Sequence, residues 1–402
     1  MPRTNARLLF SPLTLRGLTL RNRIVISPMC QHAADQGKAT DWHLVHLGKF
    51  AMGGAGLIFT ESTAVSPHGR IGIDDLGLWS DDQIEPLKRV IDFVHDQGVP
   101  VGVQLAHAGR KAGSQPLWEG GQAFTLEDMH FPDGTPWRRI GPSPVAAGPE
   151  WSVPEPLDES DIRDVADQFA ASAARAVAAG VDAIELHFGH GYLLASFLSP
   201  ISNHRSDAYG GSRDNRMRLA LEIAERVRSG IPDGMPLFCR LSAIDGAEGG
   251  WSVDDSVHLA RDLSNVGVDV IDVSSGGLSE ETRRSNVPRG LGFQVGFAND
   301  IKRGAGVVTQ AVGMIVDGRQ AEDILQSGAA DLVAIAREAL NDPYWPRRAR
   351  EMLGLDPDYS DWPARYGSWL SRRDSQIGDE LRARREFIRS SAGNNADNDK
   401  GN

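Results

Sequence analysis

The stretch VDAIELHFGH at residues 181–190 joins a short apolar run to a glycine between two histidines. Its first eight residues are the kind of near-continuous apolar run found in a strand of a parallel sheet covered on both faces. Polar side chains follow at the point where such a strand ends. The same order recurs along the chain, and this recurrence decides the predicted fold.

Amphipathic stretches with helix caps separate these runs. Ser80 and Gly98 bound one of them, Asp158 and Gly180 bound another, and Ser252 and Asp317 open two more. Eight β-then-α units favour an α/β protein with a (β/α)8 TIM barrel; a doubly wound open sheet is the alternative. The other seven predicted strands are RIVISP (23–28), GLIFTES (56–62), PVGVQLAH (100–107), PLFCRLS (236–242), VDVIDVSS (268–275), GVVTQAVG (306–313) and DLVAIAR (331–337).

We expect one barrel domain over residues 1–370 and a charged C-terminal extension over 371–402. Two loops are too long to be mere connections: Gly109–Leu157 after the third strand, and Gly189 to about Arg213 after the fourth. Long ordered loops on a barrel usually shape the substrate site. The composition of the final dozen residues predicts disorder, and the stretch before them predicts a short surface helix.

Composition narrows the class of protein. The chain has 402 residues and a formal net charge of −12, which argues against a general nucleic-acid binder. No run approaches the roughly 18 apolar residues of a membrane span, and the start lacks a secretory signal. The only cysteines, Cys30 and Cys239, predict neither a disulfide framework nor an iron–sulfur cluster, so we expect a cytoplasmic protein.

Functional side chains of a (β/α)8 barrel come from the C-terminal ends of different strands. In this chain those ends carry polar donors, small residues and two arginines, so one face of the barrel is predicted to collect them. In chain order they are Met29, Cys30, Ser62, Gln104, His107, His187, His190, Arg240, Ser275, Gly276, Gly313 and Arg337.

The two histidines stand at i and i+3, and Gly189 and Gly191 allow a tight backbone bend around them. Their N–H groups are suited to meet one ligand oxygen that gains negative charge, as in an oxyanion hole. Two alternatives stay open. Both rings can be satisfied by backbone carbonyls, or Glu185, His187 and His190 can form a two-histidine, one-carboxylate metal site.

Three further residues suggest a flavin. Arg240 near a strand end needs an anion, such as N1 of a reduced flavin, although a barrel carboxylate such as Glu185 is the alternative. Gln104 matches an imide edge. Barrels commonly bind phosphate at the ends of the last two strands, and the segments there, AVGMI and AIAREAL, supply backbone amides and Arg337. The alternative role of Arg337 is a surface ion pair.

Together these segments resemble the old yellow enzyme family of FMN-dependent ene-reductases, and within it the bacterial cysteine-type branch that includes xenobiotic reductase A. The resemblance runs from about Leu8 to about Leu370. A lone HxxH motif would be weak evidence for a family, whereas this ordered set of motifs is specific. The motifs are SPMC (27–30), DWHLVH (41–46), QLAHAGRK (104–111), ELHFGHGYL (185–193) and NHRSDAYGGSRDNRMR (203–218).

The resemblance implies a role for each matching position. His187 and His190 are expected to bind the activating oxygen of the substrate, with Tyr192 as proton donor and Cys30 modulating the flavin. For Tyr192 and Cys30, a hydrogen-bonded core tyrosine and a buried small side chain are the alternatives. The expected flavin-ring residues are Pro28, Met29, Cys30, Ser62, Gln104 and Arg240, and the expected phosphate-end residues are Ser275, Gly276, Gly313, Met314, Ala336 and Arg337.

The chain departs from the family pattern at three positions. His32 stands where this branch usually has a tyrosine that closes the substrate pocket, so His32 is expected to affect substrate choice or pH dependence. Ala336 replaces a common glycine before the phosphate arginine. PARYGSWL lacks an arginine that some relatives insert into a neighbouring subunit, and Trp369 is the predicted cross-subunit substrate contact instead.

The implied activity is reduction of activated C=C bonds in α,β-unsaturated carbonyl or nitro compounds, with FMN as cofactor and NADPH or NADH as reductant. A small electrophilic alkene and a homodimer or higher homo-oligomer are the expected partners; neither nucleic acid nor membrane is expected. The alternatives are a flavin dehydrogenase or nitro-compound reductase, a metal-dependent barrel lyase using Glu185, His187 and His190, and a non-catalytic flavin protein.

Overall fold

The computed structural model describes residues 7–125, 127–131, 133–279, 287 and 289–398. The chain divides into two compact units, Met1–Pro346 and Arg347–Asn402. This division lies ahead of the boundary expected at residue 370, which stays a prediction. Within the described residues, no helix is long and apolar enough to cross a membrane.

Eight parallel strands of the first unit form a closed barrel in the order β10-β11-β12-β3-β4-β5-β8-β9. Every strand expected from the sequence is present, so the barrel is confirmed and the open sheet is wrong. The strands are β1 (Leu13–Leu15), β2 (Leu18–Leu20), β3 (Ile24–Ile26), β4 (Leu57–Ala64), β5 (Val101–Ala106), β6 (Ile140–Gly141), β7 (Glu155–Pro156), β8 (Ala183–Phe188), β9 (Leu237–Ser242), β10 (Val270–Ser274), β11 (Val308–Val312) and β12 (Leu332–Ile335).

The helices begin at or near the capping residues predicted from the sequence. The Asp158 carboxylate accepts hydrogen bonds from two amides of the first turn of α3, and Gly180 ends this helix with a φ of 91°. Ser80 first opens a 3-10 turn, and α2 follows it. The helices are α1 (Asp41–Gly53), α2 (Ile84–Asp96), α3 (Glu159–Ala179), α4 (Leu193–Leu198), α5 (Arg213–Gly230), α6 (Val253–Asn265), α7 (Val295–Ala305), α8 (Gly318–Gln326), α9 (Arg337–Asn341), α10 (Trp345–Met352) and α11 (Ala364–Asn398).

The N-terminal end of the barrel is filled with apolar side chains. The antiparallel hairpin of β1 and β2 contributes Leu15 and Leu20 to this cluster. Inside the barrel, the rings of Phe59 and Phe238 pack edge to face with centroids 5.2 Å apart. Because apolar side chains fill this end, we look for a small-molecule site at the opposite end, where the strands finish.

A polar layer lies in the barrel interior beyond the apolar cluster. Glu185 and Asp272 are both fully buried. Burial, and next the negative charge of Asp272, raise the pKa of Glu185 well above its usual range. This shift favours the protonated form of Glu185 beside Asp272. The polar layer forms the floor on which the functional end of the barrel is built.

Two buried arginines fix the long loop after β5. Arg110 is 2% exposed, and its guanidinium donates to the carbonyl oxygens of Val145, Ala146 and Leu278. Arg139 likewise donates to three backbone carbonyl oxygens within this loop. These charge-assisted hydrogen bonds hold an irregular segment in place where no sheet or helix ladder does so.

The second unit contains α11, whose regular geometry is interrupted at Ile377. The hydroxyl of Tyr359 donates to the Asp374 carboxylate at 2.6 Å and fixes this helix within the unit. Trp369 is 68% exposed, and its cross-subunit contact stays a prediction. Of the final dozen residues, which the composition predicts to be disordered, 391–398 belong to α11 and 399–402 lie outside the described residues.

Candidate active site

A cavity of about 570 Å³ opens at the C-terminal ends of the barrel strands, within the usual size range of small-molecule sites. A second cavity of about 110 Å³ adjoins it. The two share Cys30, Ile71, His190, Tyr192 and Arg240 in their walls. Predicted residues in the larger cavity also include His32, Ser275, Gly276, Gly313, Met314, Ala336 and Arg337, and those in the smaller include Pro28, Ser62, Gln104 and His187.

The turn after β8 brings the two histidines together as predicted. Nε2 of His187 and Nδ1 of His190 are 3.2 Å apart. His190 has a φ of 60°, in the left-handed region that non-glycine residues rarely adopt. At Gly191 a Cβ would lie 2.4 Å from the carbonyl oxygen of Gly277, so the turn needs glycine there. Strain of this kind persists where the surroundings over-determine it, typically at a functional site.

Both imidazoles are neutral at physiological pH. Burial, and then the charge of Arg240, lower the pKa of His187 to about 3. Burial and the neighbouring His187 lower the pKa of His190 well below its usual value. The amide of Gly189 donates to Nδ1 of His187 at 3.3 Å, which leaves the proton of this ring on Nε2, facing His190. The pair can therefore offer hydrogen bonds without carrying a positive charge.

Lys111 holds this turn against the loop after β10. Its Nζ donates to the carbonyl oxygen of His190 at 2.8 Å and to that of Gly277. The same ammonium lies 5.7 Å from the centroid of the Tyr192 ring, which packs edge to face on His187. Lys111 stands inside the QLAHAGRK motif, yet only the folded chain shows that it lines the cavity.

The segment after β3 brings Cys30 and His32 to the cavity. Burial, and next the charges of Asp75 and Glu61, raise the pKa of the Cys30 thiol well above its usual value, so the thiol is neutral. Nδ1 of His32 lies 2.8 Å from Oδ1 of Asp75, whose side chain is 1% exposed. The ring of His32 also packs edge to face on Trp118 of the long loop.

The His32–Asp75 pair predicts a pH effect. Burial acts to lower the pKa of His32, but the hydrogen bond and charge of Asp75 outweigh it and raise the pKa above 6.5. The pair should therefore stabilise the fold below about pH 6.5, and this contribution should vanish as pH rises through the folded-state pKa. In Asp75→Asn, we expect an NMR titration of the His32 ring to give a pKa below the wild-type value. An unchanged pKa would contradict the pairing.

The floor of the cavity suits the ring of a flavin. Arg240 donates to the Ser27 hydroxyl at 2.7 Å, and its Nε lies 3.4 Å from Asp272. Its carboxylate partner is thus Asp272 rather than Glu185, the partner considered from the sequence. Gln104 gives one amide proton to Glu185 at 2.7 Å, which leaves its carbonyl oxygen available to accept an imide N–H. A cation and an amide oxygen are the groups that the N1–C2 and N3 edge of a flavin needs.

The far end of the cavity suits a phosphate. The exposed Arg337 lines it together with small residues that leave room for a ribityl chain. Gly313 has a φ of 119°, and a Cβ there would lie 2.8 Å from Nε2 of Gln294. This geometry explains the glycine, because an L side chain at this position is both strained and obstructed. The donor set of the whole cavity therefore fits FMN.

Some placements differ from the sequence analysis. Met29 lines neither of the two cavities, although its neighbours Pro28 and Cys30 do. Within the described residues, no group of three or more His, Cys, Asp or Glu side chains is arranged to hold a metal ion. Residues that the sequence did not single out, because their roles depend on contacts between distant segments, are Ile71, Lys111, Leu117, Trp151, Ser274 and Gln294.

Comparison with known proteins points to flavin oxidoreductases. Residues 8–356 match the NADH:flavin oxidoreductase / NADH oxidase family. An NADPH dehydrogenase of Bacillus subtilis is 42% identical over 353 residues, covering 87% of this chain and 96% of that protein. An NADH:flavin oxidoreductase of Gibberella zeae is 42% identical over 361 residues, covering 86% of each chain.

Solved structures show the same fold. Morphinone reductase superposes with a TM-score of 0.72 at 26% identity, covering 90% of this chain and 94% of its own. An old yellow enzyme homologue from Zymomonas mobilis gives a TM-score of 0.69 at 24% identity, covering 88% of this chain and 96% of its own. The cysteine-type branch stays a prediction. The chain belongs to the NADH:flavin oxidoreductase / NADH oxidase family, of old yellow enzyme type, and is an FMN-dependent oxidoreductase that uses NADH or NADPH.

Proposed function

We propose that this enzyme reduces the activated C=C bond of α,β-unsaturated carbonyl or nitro compounds. The observation that carries the proposal is the pair of neutral histidines, with Nε2 of His187 and Nδ1 of His190 3.2 Å apart in the wall of the cavity. One oxygen atom of a substrate can bridge two nitrogens at this separation. Such an oxygen is present in both the carbonyl and the nitro group that activate an alkene.

FMN, when bound, supplies the hydride transfer between the nicotinamide and the substrate. The histidines bind the oxygen of the activating group and stabilise the negative charge that develops on it, as preorganised donors do in an oxyanion hole. Burial keeps both rings neutral, so they carry no charge that would bind every anion tightly. Their hydrogen bonds to the substrate oxygen instead become stronger as negative charge develops on that oxygen during the reaction. This differential binding favours an electron-poor alkene over a saturated ketone.

Tyr192 is the proposed proton donor to the α-carbon. Its side chain lines both cavities, and its ring centroid is 5.2 Å from that of His187. A phenol next to the oxygen-binding pair is placed to reach a carbon adjacent to the activated carbonyl. The half-buried neutral Cys30 thiol, in the wall of both cavities, is proposed to contact the flavin ring and tune its reactivity without forming a thiolate.

We expect Tyr192→Phe to lower kcat for cyclohexenone by roughly 10²-fold or more, the usual contribution of a general acid. The ring is retained, so the packing against His187 should survive. Tyr209→Phe is the matched control, because that hydroxyl bonds Glu222 at 3.2 Å and Tyr209 lines neither cavity. Steady-state turnover measures the effect; equal losses in the two variants would remove Tyr192 from the proposed role.

The proposed function is tested on the purified holoenzyme. Its flavin absorbance should bleach anaerobically with NADPH or NADH and return when cyclohexenone, maleimide or a nitroalkene is added, with the saturated product formed. Bleaching without reduction of any activated alkene would overturn the proposal and favour a dehydrogenase or a nitroarene reductase on the same scaffold. Reduction of a nitroarene alone would favour the latter.

A further inference from the structure

Ser274, the last residue of β10, contacts one of the two histidines at the ring nitrogen that faces away from the other. Its Oγ lies 2.7 Å from Nε2 of His190, whereas Nδ1 of His190 faces His187. The Ser274 side chain is buried, at 4% exposure. A neutral imidazole carries one proton, so the group at Nε2 determines whether Nδ1 donates or accepts a hydrogen bond.

Gln294 limits what the Ser274 hydroxyl can do. The Gln294 amide nitrogen donates to the carbonyl oxygen of Val312 at 2.9 Å, which turns its Oε1 toward the serines. Ser275 donates to this oxygen at 2.7 Å, whereas Ser274 is 3.3 Å from it. O–H···O hydrogen bonds usually measure about 2.5–3.0 Å. The single proton of Ser274 is therefore better placed on the 2.7 Å contact with His190.

We propose that Ser274 is a positioning residue that selects the tautomer of His190. Its hydroxyl donates to Nε2 and thereby holds the ring proton on Nδ1, beside the Nε2–H of His187. Two N–H groups then face each other at 3.2 Å, an unfavourable arrangement that an oxygen gaining negative charge relieves by accepting from both. That this oxygen belongs to an activated alkene rests on the proposed function.

The opposite tautomer gives the pair a different chemistry. With the proton on Nε2, His190 would donate to Ser274, and its Nδ1 would accept from His187. The two rings would then satisfy each other, and one of the two donors to a substrate oxygen would be lost. The protonation of one nitrogen thus decides whether the pair acts as a double donor.

The tautomer can be observed directly by ¹⁵N NMR of histidine-labelled holoenzyme bound to phenol. We expect His190 to carry its proton on Nδ1 in the wild type and in Ser274→Thr, which keeps the hydroxyl. Ser256→Ala, which removes a buried hydroxyl that bonds Trp251 outside both cavities, should leave this tautomer unchanged. Ser274→Ala should shift the proton wholly or partly to Nε2. A wild-type His190 protonated on Nε2, or an unchanged tautomer in Ser274→Ala, overturns the proposal.

A double-mutant cycle supplies the second readout. Phenol binding, followed by the charge-transfer absorbance of the flavin, should weaken roughly tenfold in Ser274→Ala, the size of a charge-assisted hydrogen bond. In a His190→Ala background the same change should have no further effect, because Ser274 acts through that ring. Independent, additive losses would overturn the proposal. Neither readout needs alkene turnover. If the His190 tautomer depends on Ser274 but the enzyme reduces no activated alkene, only the proposed function is refuted.

Discussion

Replacing both His187 and His190 by alanine is expected to abolish alkene reduction while leaving the protein yellow. Losing one oxyanion donor typically costs about 10²–10³ in kcat, so the double variant should lose about 10³-fold or more. Phenol binding should weaken strongly as well, because the same two nitrogens would hold its oxygen. FMN should stay bound, since the floor and the phosphate end of its cavity do not depend on these rings.

The matched control is His258→Ala, a histidine on α6 that pairs with Asp254 and lines neither cavity. It should keep full activity and full phenol affinity. Turnover with cyclohexenone and titration of the flavin charge-transfer band with phenol provide the two measurements. If phenol binds the double variant as tightly as the wild type, the histidines do not bind the activating oxygen, and the assignment of the pair is wrong.

Arg337→Ala is expected to yield a protein that loses FMN during purification. A guanidinium can hold a phosphate through two charge-assisted hydrogen bonds, each worth about 1.5–3 kcal/mol, so FMN affinity should fall about 10²-fold or more. Arg337 lies in the wall of the cavity, which Ala336 and Gly313 also line. The flavin-to-protein absorbance ratio and the dissociation constant for added FMN report the loss.

Arg319→Ala is the control for this variant. Arg319 is an exposed arginine at the start of the neighbouring helix α8, and it does not line the cavity. Its removal should leave FMN content unchanged. Full FMN occupancy in Arg337→Ala would mean that Arg337 serves a surface ion pair, the alternative that the sequence left open.

Much of the fold was predictable because it depends on local patterns. All eight barrel strands begin and end close to the predicted residues, and Asp158, Ser252 and Asp317 cap the helices expected of them. Apolar runs and caps act within a few residues of the chain, so a single sequence reveals them. The histidine turn was predictable for the same reason: His187, Gly189, His190 and Gly191 are neighbours in the chain.

The partners of the site residues were not predictable. Arg240 faces Asp272 rather than Glu185, His32 pairs with Asp75, and Lys111 reaches the histidine turn from the loop after β5. The buried carboxylates of Asp75 and Glu61 also lie near Cys30 and help to raise the pKa of its thiol. None of these pairs has a spacing that a helix or a strand would impose.

What the sequence by itself determined about this protein is the barrel, the end at which it works and the residue types collected there. Only the tertiary structure decided how those residues are protonated and paired. His190 meets Ser274, 84 positions along the chain, because β8 and β10 flank β9 in the barrel and their C-terminal ends lie at the same rim. The low pKa of His187 comes from burial, which exists only once the barrel has closed. Proton positions depend on distance and desolvation, and both are properties of the folded chain rather than of its order of residues.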